Sequence, residues 1–544
     1  MNTRQLQTDK NQKLYHALLG ILLVCALAMM MLLSYWACKY SYYGAVDGRT
    51  RGVLVGDKTW AHIAVFLAAS LCAMGIDKVL MKKDKSQQEK ICLCTLIVTS
   101  VIAFILGVFY VCKNPYYPVG DQINTTAFAA YCRDGNFSML SIGGYVGMYQ
   151  QQKGLAILYE ILFTLFGDFN YRPAKILHVV WWILTILAGY GFLKLNTDRP
   201  VFRMLYCVMM LGCFPLLFYL PYIYGDVLSI SFGIILFYGV AAYEHSGQKR
   251  YIALASFAAG LAVLARKNTW IVLVAVAVYV LLVSLRKKKV RYLMAGTAIL
   301  LTAALSVKAV DVIYEVRSGY PSGVGVPSIL WVAMGLQETE GRAGVYNRYQ
   351  QATFTDYDCQ QELAAQQGKE YIRERLEEFS QDPGMAFNFF KNKVEGQWIE
   401  PMYAALESTE SFEEGAELSP VLESLYYGEL GRTIWKLTNY YQSILYLAGL
   451  MALVMLGILW WKKKEVPISL WLPWIAVFGG FLFSILWEAK SRYVFPYCVF
   501  MILYAPEGLY QTGLLLCKLP KLRKFKKSGH TQDKGEEASL RETA

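Results

Sequence analysis

Long apolar runs separated by short polar stretches dominate the chain. Twelve of them are predicted to form helices: 14–37, 59–80, 91–112, 175–194, 204–221, 227–243, 251–265, 269–285, 292–310, 444–461, 467–487 and 494–517. Roughly 20 apolar residues in a helix cross a hydrocarbon layer of about 30 Å, and a helix satisfies its own backbone groups there. The expected fold is an all-α polytopic membrane protein with about twelve transmembrane helices. Two stretches break the rhythm. Residues 113–174 hold one further apolar segment, 154–169, predicted to be an amphipathic helix lying on the membrane interface. Residues 311–443 are mostly polar and rich in acids such as Glu362, Glu370, Glu374, Glu413 and Glu417. Within them 360–380 reads as a helix stopped by Asp382-Pro383-Gly384. A second helix follows, with Phe387, Phe390, Val394 and Trp398 on one face as a packing stripe.

Basic residues orient the runs. Arg4, Lys10 and Lys13 precede the first run, and Lys82-Lys83-Asp84-Lys85 follows the second. Residues 194–203, Gln248-Lys249-Arg250, 286–291, Lys462-Lys463-Lys464 and the tail with Lys518, Lys521 and Arg523 carry the other clusters. With twelve spans every cluster falls on one side, which the positive-inside bias makes cytoplasmic, together with both termini. A span at 154–169 breaks that alternation, hence its assignment to the interface. Composition agrees: 56% of the 544 residues are hydrophobic and 17% charged, against about 25% charged in soluble domains. That balance excludes a soluble enzyme, a disordered chain and a disulfide scaffold. The net charge of +12 sits in the cytoplasmic clusters and gives no reason to expect nucleic acid as a partner. Cys25, Cys72, Cys92, Cys94, Cys207 and Cys213 lie in apolar runs as small hydrophobes. Cys132 and Cys359 are the ones expected to be exposed.

The topology brings charges to the outer face from four separate tips. Asp121, followed by Gln122, lies just after the third span; Asp226 lies between the fifth and sixth. Arg266 and Lys267 lie between the seventh and eighth, and Glu488, Lys490, Arg492 and Tyr493 between the eleventh and twelfth. Each has an ordinary reading too: a solvated acid, a snorkelling Arg-Lys pair, a Glu488/Arg492 helix-end ion pair. Taken together they fit sugar transfer from a lipid-linked phosphosugar. One carboxylate takes the proton of the acceptor hydroxyl, and cations neutralise the phosphate that leaves. A second carboxylate orients the acceptor or helps hold Mg²⁺ or Mn²⁺ through oxygen ligands. Asp121 as base, Asp226 as second acid and metal ligand with it, and Arg266, Lys267 and Arg492 as phosphate partners fill that scheme. A transporter or flippase for a lipid-linked or anionic solute fits the same charges and is the alternative.

Several short motifs resemble the GT-C superfamily of polytopic membrane glycosyltransferases, among them the protein O-mannosyltransferases and aminoarabinose transferases. Gly120-Asp121-Gln122 stands where those proteins carry an acidic motif in their first long outer loop. Tyr224-Gly225-Asp226 matches a later outer-tip Asp, and Arg492-Tyr493-Val494-Phe495-Pro496 looks like their late Arg-Tyr…Pro signature. Pro327–Gly335 (PSILWVAMG) and the following Gly341 resemble an outer-loop stretch of related Gram-positive enzymes. Position 122 is Gln where many members have a second acid. The resemblance implies an inverting transferase using a polyprenyl-phosphate sugar donor and a hydroxyl on a cell-envelope polymer, lipid or protein. It implies Asp121 as base, Asp226 as its acidic partner, and the outer face of a bacterial cytoplasmic membrane as the location. Tyr493 goes with Arg492 on the donor phosphate, and Gln122, Glu488 and Lys490 are secondary substrate-binding candidates. The expected organisation is an N-terminal two-helix addition (1–90) and a GT-C-like core (91–310) carrying the catalytic loop 113–174. The extracytoplasmic unit 311–443, the C-terminal helices 444–517 and a basic, polar tail (518–544) follow.

Overall fold

The computed structural model describes residues 3–43, 53–464 and 466–518, with side chains from residue 11 onward. The tail beyond residue 518 and the Arg4 and Lys10 side chains therefore lie outside the described residues. Helix α1 (Thr3–Lys39) leads into a small antiparallel hairpin, β1 (Tyr40–Tyr43) with β2 (Val53–Gly56), then α2 (Thr59–Leu80) and α3 (Lys85–Lys113). The first long connection holds α4 (Asp121–Arg133), α5 (Tyr145–Met148) and α6 (Lys153–Phe166). The middle of the chain is α7 (Arg172–Asn196), α8 (Pro200–Gly212), α9 (Phe214–Phe218), α10 (Asp226–Ser246), α11 (Lys249–Ala265), α12 (Trp270–Lys287) and α13 (Val290–Ser318). A second long connection follows: α14 (Ile329–Gly335), the hairpin β3 (Glu338–Thr339) with β4 (Arg342–Ala343), and α15 (Tyr349–Asp356). It continues through α16 (Gln361–Gln381), α17 (Pro383–Trp398), α18 (Ala405–Ser408) and α19 (Pro420–Tyr427). Helices α20 (Glu429–Trp461), α21 (Leu472–Leu486) and α22 (Ser491–Met501) close the fold, with a further helical stretch over 505–518.

Among the described residues nine helices are long and apolar enough to cross a membrane: Asn11–Lys39, Thr59–Leu80, Lys85–Lys113, Arg172–Asn196, Asp226–Ser246, Lys267–Lys287, Val290–Ser318, Glu429–Trp461 and Ile468–Leu486. Of the other three runs, two are broken and one is too short to be counted with them. The run at 204–221 splits after the 13-residue α8, where Cys213 leaves the helix and Pro215 opens the next, because proline supplies no N–H to the turn before it. The run at 251–265 forms a 17-residue helix, about 25 Å long. The run at 494–517 breaks at 502–504, after α22 with its internal Pro496. Helix α6 has 14 residues, about 21 Å, short of the roughly 20 residues a span needs. It buries Leu155, Ala156, Tyr159 and Phe163 and leaves Ile161, Leu165 and Phe166 exposed.

The two long connections pack against each other, and the second within itself, through small satellite cores. Met148, Tyr149, Val326, Leu330, Phe354 and Ala364 make one; Leu336, Ala343, Phe379 and Phe389 make the other. Helix α16 matches the expected 360–380, and the Asp382 carboxylate caps α17 by accepting the Met385 N–H at 2.9 Å. The stripe expected on α17 holds at Phe390, Val394 and Trp398 but not at Phe387, which is 67% exposed, and Phe389, Lys393, Glu395 and Gln397 are buried as well. Helix α17 has neighbours on two sides, α16 and the α21–α22 pair, so its buried face is wider than an apolar stripe and includes polar positions. Cys132, expected to be exposed, is 1% exposed, because it lies on the inner face of α4. The N-terminal helices are packed into the bundle. Helix α1 lies along α20, α2 lies against α20 and α8, and the Tyr42 N–H donates to Ile399 O at 3.0 Å.

Candidate active site

Four chain-distant helix ends meet at one cavity of about 1000 Å³. Close backbone approach makes this meeting possible. A Cβ on Gly225 would stand 2.0 Å from the Ala265 carbonyl oxygen, and one on Gly154 2.6 Å from Leu264 O. Glycine at these positions lets the start of α10 and the start of α6 both abut the end of α11. Arg266 is thereby set beside Asp226, and both face the segment that opens α22.

Asp121 is the first residue of α4, after Gly120 at φ 58°, where the helix N-terminus favours a carboxylate. Its side chain opens into the cavity, and its Oδ1 accepts the Tyr145 hydroxyl at 2.8 Å. Tyr145 is held in place by the one-turn α5: a Cβ on Gly147 would stand 2.1 Å from Ser141 O. Another of the carboxylates on the cavity is Glu488, which is 7% exposed. Its Oε1 accepts the Tyr493 hydroxyl at 3.4 Å. Burial pushes Glu488 up to about 7, with Lys490 opposing the rise and Asp121 adding to it. The two acids therefore differ in environment: one opens into the cavity, and the other is buried and titrates near neutrality. Glu488 precedes α22 and makes no helix-end pair with Arg492.

Arg266, Lys267, Lys490, Arg492 and Tyr493 line the same cavity. The Arg266 guanidinium lies over Tyr224 and Tyr493, with its carbon 5.0 and 5.5 Å from the ring centres. Arg492 lies over Tyr222, Tyr224 and Tyr493 at 5.2, 5.4 and 5.4 Å. These are cation–π distances.

Two expected site residues are placed elsewhere. Asp226 is 3% exposed and does not line the cavity. It faces Arg266 Nη1 at 3.3 Å and Arg492 Nε at 4.0 Å, so its carboxylate is directed at the two arginines. Its position follows from the Gly225 contact, which draws the tip inward. Gln122 is 6% exposed and off the cavity wall, on the face of α4 turned into the protein. Asp121 and Asp226 do not fit a shared Mg²⁺ or Mn²⁺: one carboxylate opens to the cavity and the other is taken by guanidinium groups. Among the described residues no group of three or more His, Cys, Asp or Glu could hold a metal ion.

The cavity has walls that the sequence pattern did not mark. Trp331 and Trp487 stack at 5.9 Å with 4° between their planes, and Tyr149 meets Trp331 edge-on at 6.1 Å. The PSILWVAMG stretch supplies Ser328 and Trp331 to the wall, and its Gly335 packs against the end of α21, where a Cβ would stand 2.3 Å from Leu486 O. Tyr42 and Leu54 of the N-terminal hairpin also reach the cavity, as do Arg342, Arg348 and Lys393. In all, seven basic and five acidic residues line it. No protein-family model matches the chain, nor does any curated protein or solved structure.

Proposed function

We propose that the protein is an inverting glycosyltransferase that moves a sugar from a polyprenyl-phosphate donor to a hydroxyl acceptor. It works in a GT-C-like frame of about twelve crossings, three of them short or broken, at the outer face of a bacterial cytoplasmic membrane. The acceptor oxygen attacks the anomeric carbon while Asp121 takes its proton, and the bond from that carbon to the phosphate oxygen breaks. The phosphate leaves as polyprenyl phosphate, gaining one negative charge, which Arg266, Lys267 and Arg492 neutralise. Asp226 positions the two arginines, and Tyr145 holds the Asp121 carboxylate. The donor's polyprenyl tail stays in the bilayer, and the acceptor belongs to the cell envelope or its lipids.

The observation that carries this reading is the sharing of one cavity by Asp121 and the cations of two other helix ends. The test is product formation by purified protein in detergent from a panel of polyprenyl-phosphate sugars, with a membrane fraction as acceptor. Asp121→Asn should keep the thermal unfolding profile and lose at least about 100-fold in rate, the usual worth of a general base. Full activity in that variant removes the base assignment. Solute uptake by proteoliposomes with no sugar transfer points to a transporter instead.

A further inference from the structure

The cavity has more room than one donor headgroup requires. At about 1000 Å³ it stands at the top of the range of about 300–1,000 Å³ that accommodates a whole drug-sized ligand. One of its walls is built independently of Asp226 and its arginines. The β3–β4 hairpin turns at Glu340 and Gly341, with φ of 52° and 72°. This two-residue turn pairs Thr339 with Arg342. Just beyond it, Gly344 is wedged: a Cβ there would stand 2.7 Å from both Gly335 O and Lys393 Cε. The Gly344 carbonyl in turn accepts the Ala489 N–H at 2.7 Å. The hairpin, α17 and the segment leading into α22 thus meet at one glycine and bring Arg342, Lys393 and Lys490 to the same wall.

These cations have donors to spare. Lys393 is 1% exposed, and its ammonium, with three protons, meets one acceptor among the described residues, the Gly335 carbonyl. Arg342 Nε is buried without an acceptor, and its ion pair is made by Nη2 with Glu340 at 3.9 Å. Lys490 makes no ion pair among the described residues. Glu488, the acid that senses both Lys490 and Lys393, is itself pushed up to about 7 by burial, and the other carboxylates nearby do not fill the need. Glu400 accepts the Met402 and Ala404 N–H groups at 2.8 and 2.6 Å and is committed to that turn. Glu395 stands 3.8 Å from Lys391. Glu407, the acid that senses both Lys490 and Arg342, is pushed up by burial. Buried cations are costly unless acceptors surround them, so this wall favours a ligand that brings anionic oxygens.

We propose that Arg342, Lys393 and Lys490 form a second oxyanion subsite, distinct from the Arg266–Arg492 pair, for a phosphate or carboxylate carried by the acceptor. The word "acceptor" rests on the glycosyltransferase reading; the subsite itself does not. Burial lowers Lys393 to about 7, with Glu488 opposing, so an anion bound there draws a proton onto the amine near neutral pH.

Calorimetric titration of the full chain in detergent with inorganic pyrophosphate tests the subsite. Two binding events are expected. Arg342→Gln and Lys393→Met should each weaken one of them about tenfold, the worth of one charge-assisted hydrogen bond. Arg492→Ala should weaken the other. A single event that Arg342→Gln leaves unchanged overturns the subsite, and so does loss of all binding in Arg492→Ala alone. Arg342→Gln, on a partly exposed hairpin, decides the matter if Lys393→Met does not fold. In the transfer assay Arg342→Gln should raise the acceptor KM about tenfold with the donor KM unchanged; the reverse pattern assigns the anion to the donor and overturns the proposal. Two binding events without sugar transfer from any donor keep the subsite and remove the glycosyltransferase reading.

Discussion

Asp226→Asn separates two roles that a buried carboxylate can play. In the structure Asp226 is 3% exposed and faces Arg266 and Arg492, whose side chains are 13% and 8% exposed. The asparagine keeps the shape and removes the charge, leaving two guanidinium groups near each other without the carboxylate they share. Removing one partner of a buried ion pair costs about 3–5 kcal/mol, and the second arginine, at 4.0 Å, keeps the expected loss at the upper part of that range. Denaturant unfolding in mixed micelles reads the loss directly. Donor KM should rise more than kcat falls, because the arginines that meet the phosphate lose their position. Adding Arg266→Gln removes one of the unpaired charges and should recover about 1–3 kcal/mol, the coupling expected of groups in contact. The reasoning is refuted if Asp226→Asn unfolds within about 0.5 kcal/mol of the parent yet loses sugar transfer. That result makes Asp226 a reacting group rather than a brace.

Two other perturbations probe the carboxylates on the cavity itself. Tyr145→Phe deletes the 2.8 Å hydrogen bond to Asp121; hydrogen bonds to charged groups contribute about 1.5–3 kcal/mol, so kcat should fall about 10- to 100-fold with both KM values held. An unchanged kcat rules out the positioning role. Burial pushes folded Glu488 up to about 7 from its ordinary value of 4.5, so between those pH values the folded chain holds the extra proton. Stability is therefore lost as pH rises through that window. Glu488→Gln should match the parent near pH 4.5 and exceed it by about 3 kcal/mol at pH 8, as read by unfolding across a pH series. A constant difference at all pH values refutes the burial argument.

The convergence of the charged tips was legible because it depends on two coarse quantities, the length of each apolar run and the side on which lysine and arginine collect. Asp121, Arg266, Lys267, Glu488, Lys490, Arg492 and Tyr493 all reach the cavity as expected. Depth was not legible. Asp226 follows Gly225 by one residue, and only the approach of Gly225 to Ala265 fixes whether that carboxylate faces solvent or the protein. Tyr145 lies 24 residues beyond Asp121 with no periodic signal; the glycines at 143, 144 and 147 were the available hint that the chain is pressed close there. Lys393 went unseen because the stripe on α17 was read from apolar residues alone, whereas buried positions on that helix include Lys393, Glu395 and Gln397. Broken helices escape hydropathy for a related reason. Averaging over 204–221 counts the apolar side chains around Pro215 without registering the lost backbone bond.

The tyrosines around the two arginines matter to the proposed reaction in a way that the carboxylate does not. A guanidinium held only by acids would aim its N–H donors at those acids and have few left for a phosphate. Here the rings of Tyr222, Tyr224 and Tyr493 stand 5.0–5.5 Å from the guanidinium carbons of Arg266 and Arg492, an attraction to the ring that needs no hydrogen-bond acceptor. Asp226 takes one edge contact from Arg266 at 3.3 Å, and Arg492 Nε has no hydrogen-bond acceptor. One negative charge against two positive ones leaves a net cation, so the pair is held in place before substrate arrives yet is incompletely neutralised. As the donor bond breaks, the phosphate goes from one negative charge to two, and the residual charge of the pair favours the later state over the earlier. Replacing the tyrosines with acids would hold the arginines as firmly but remove that difference, and it is the difference that lowers the barrier.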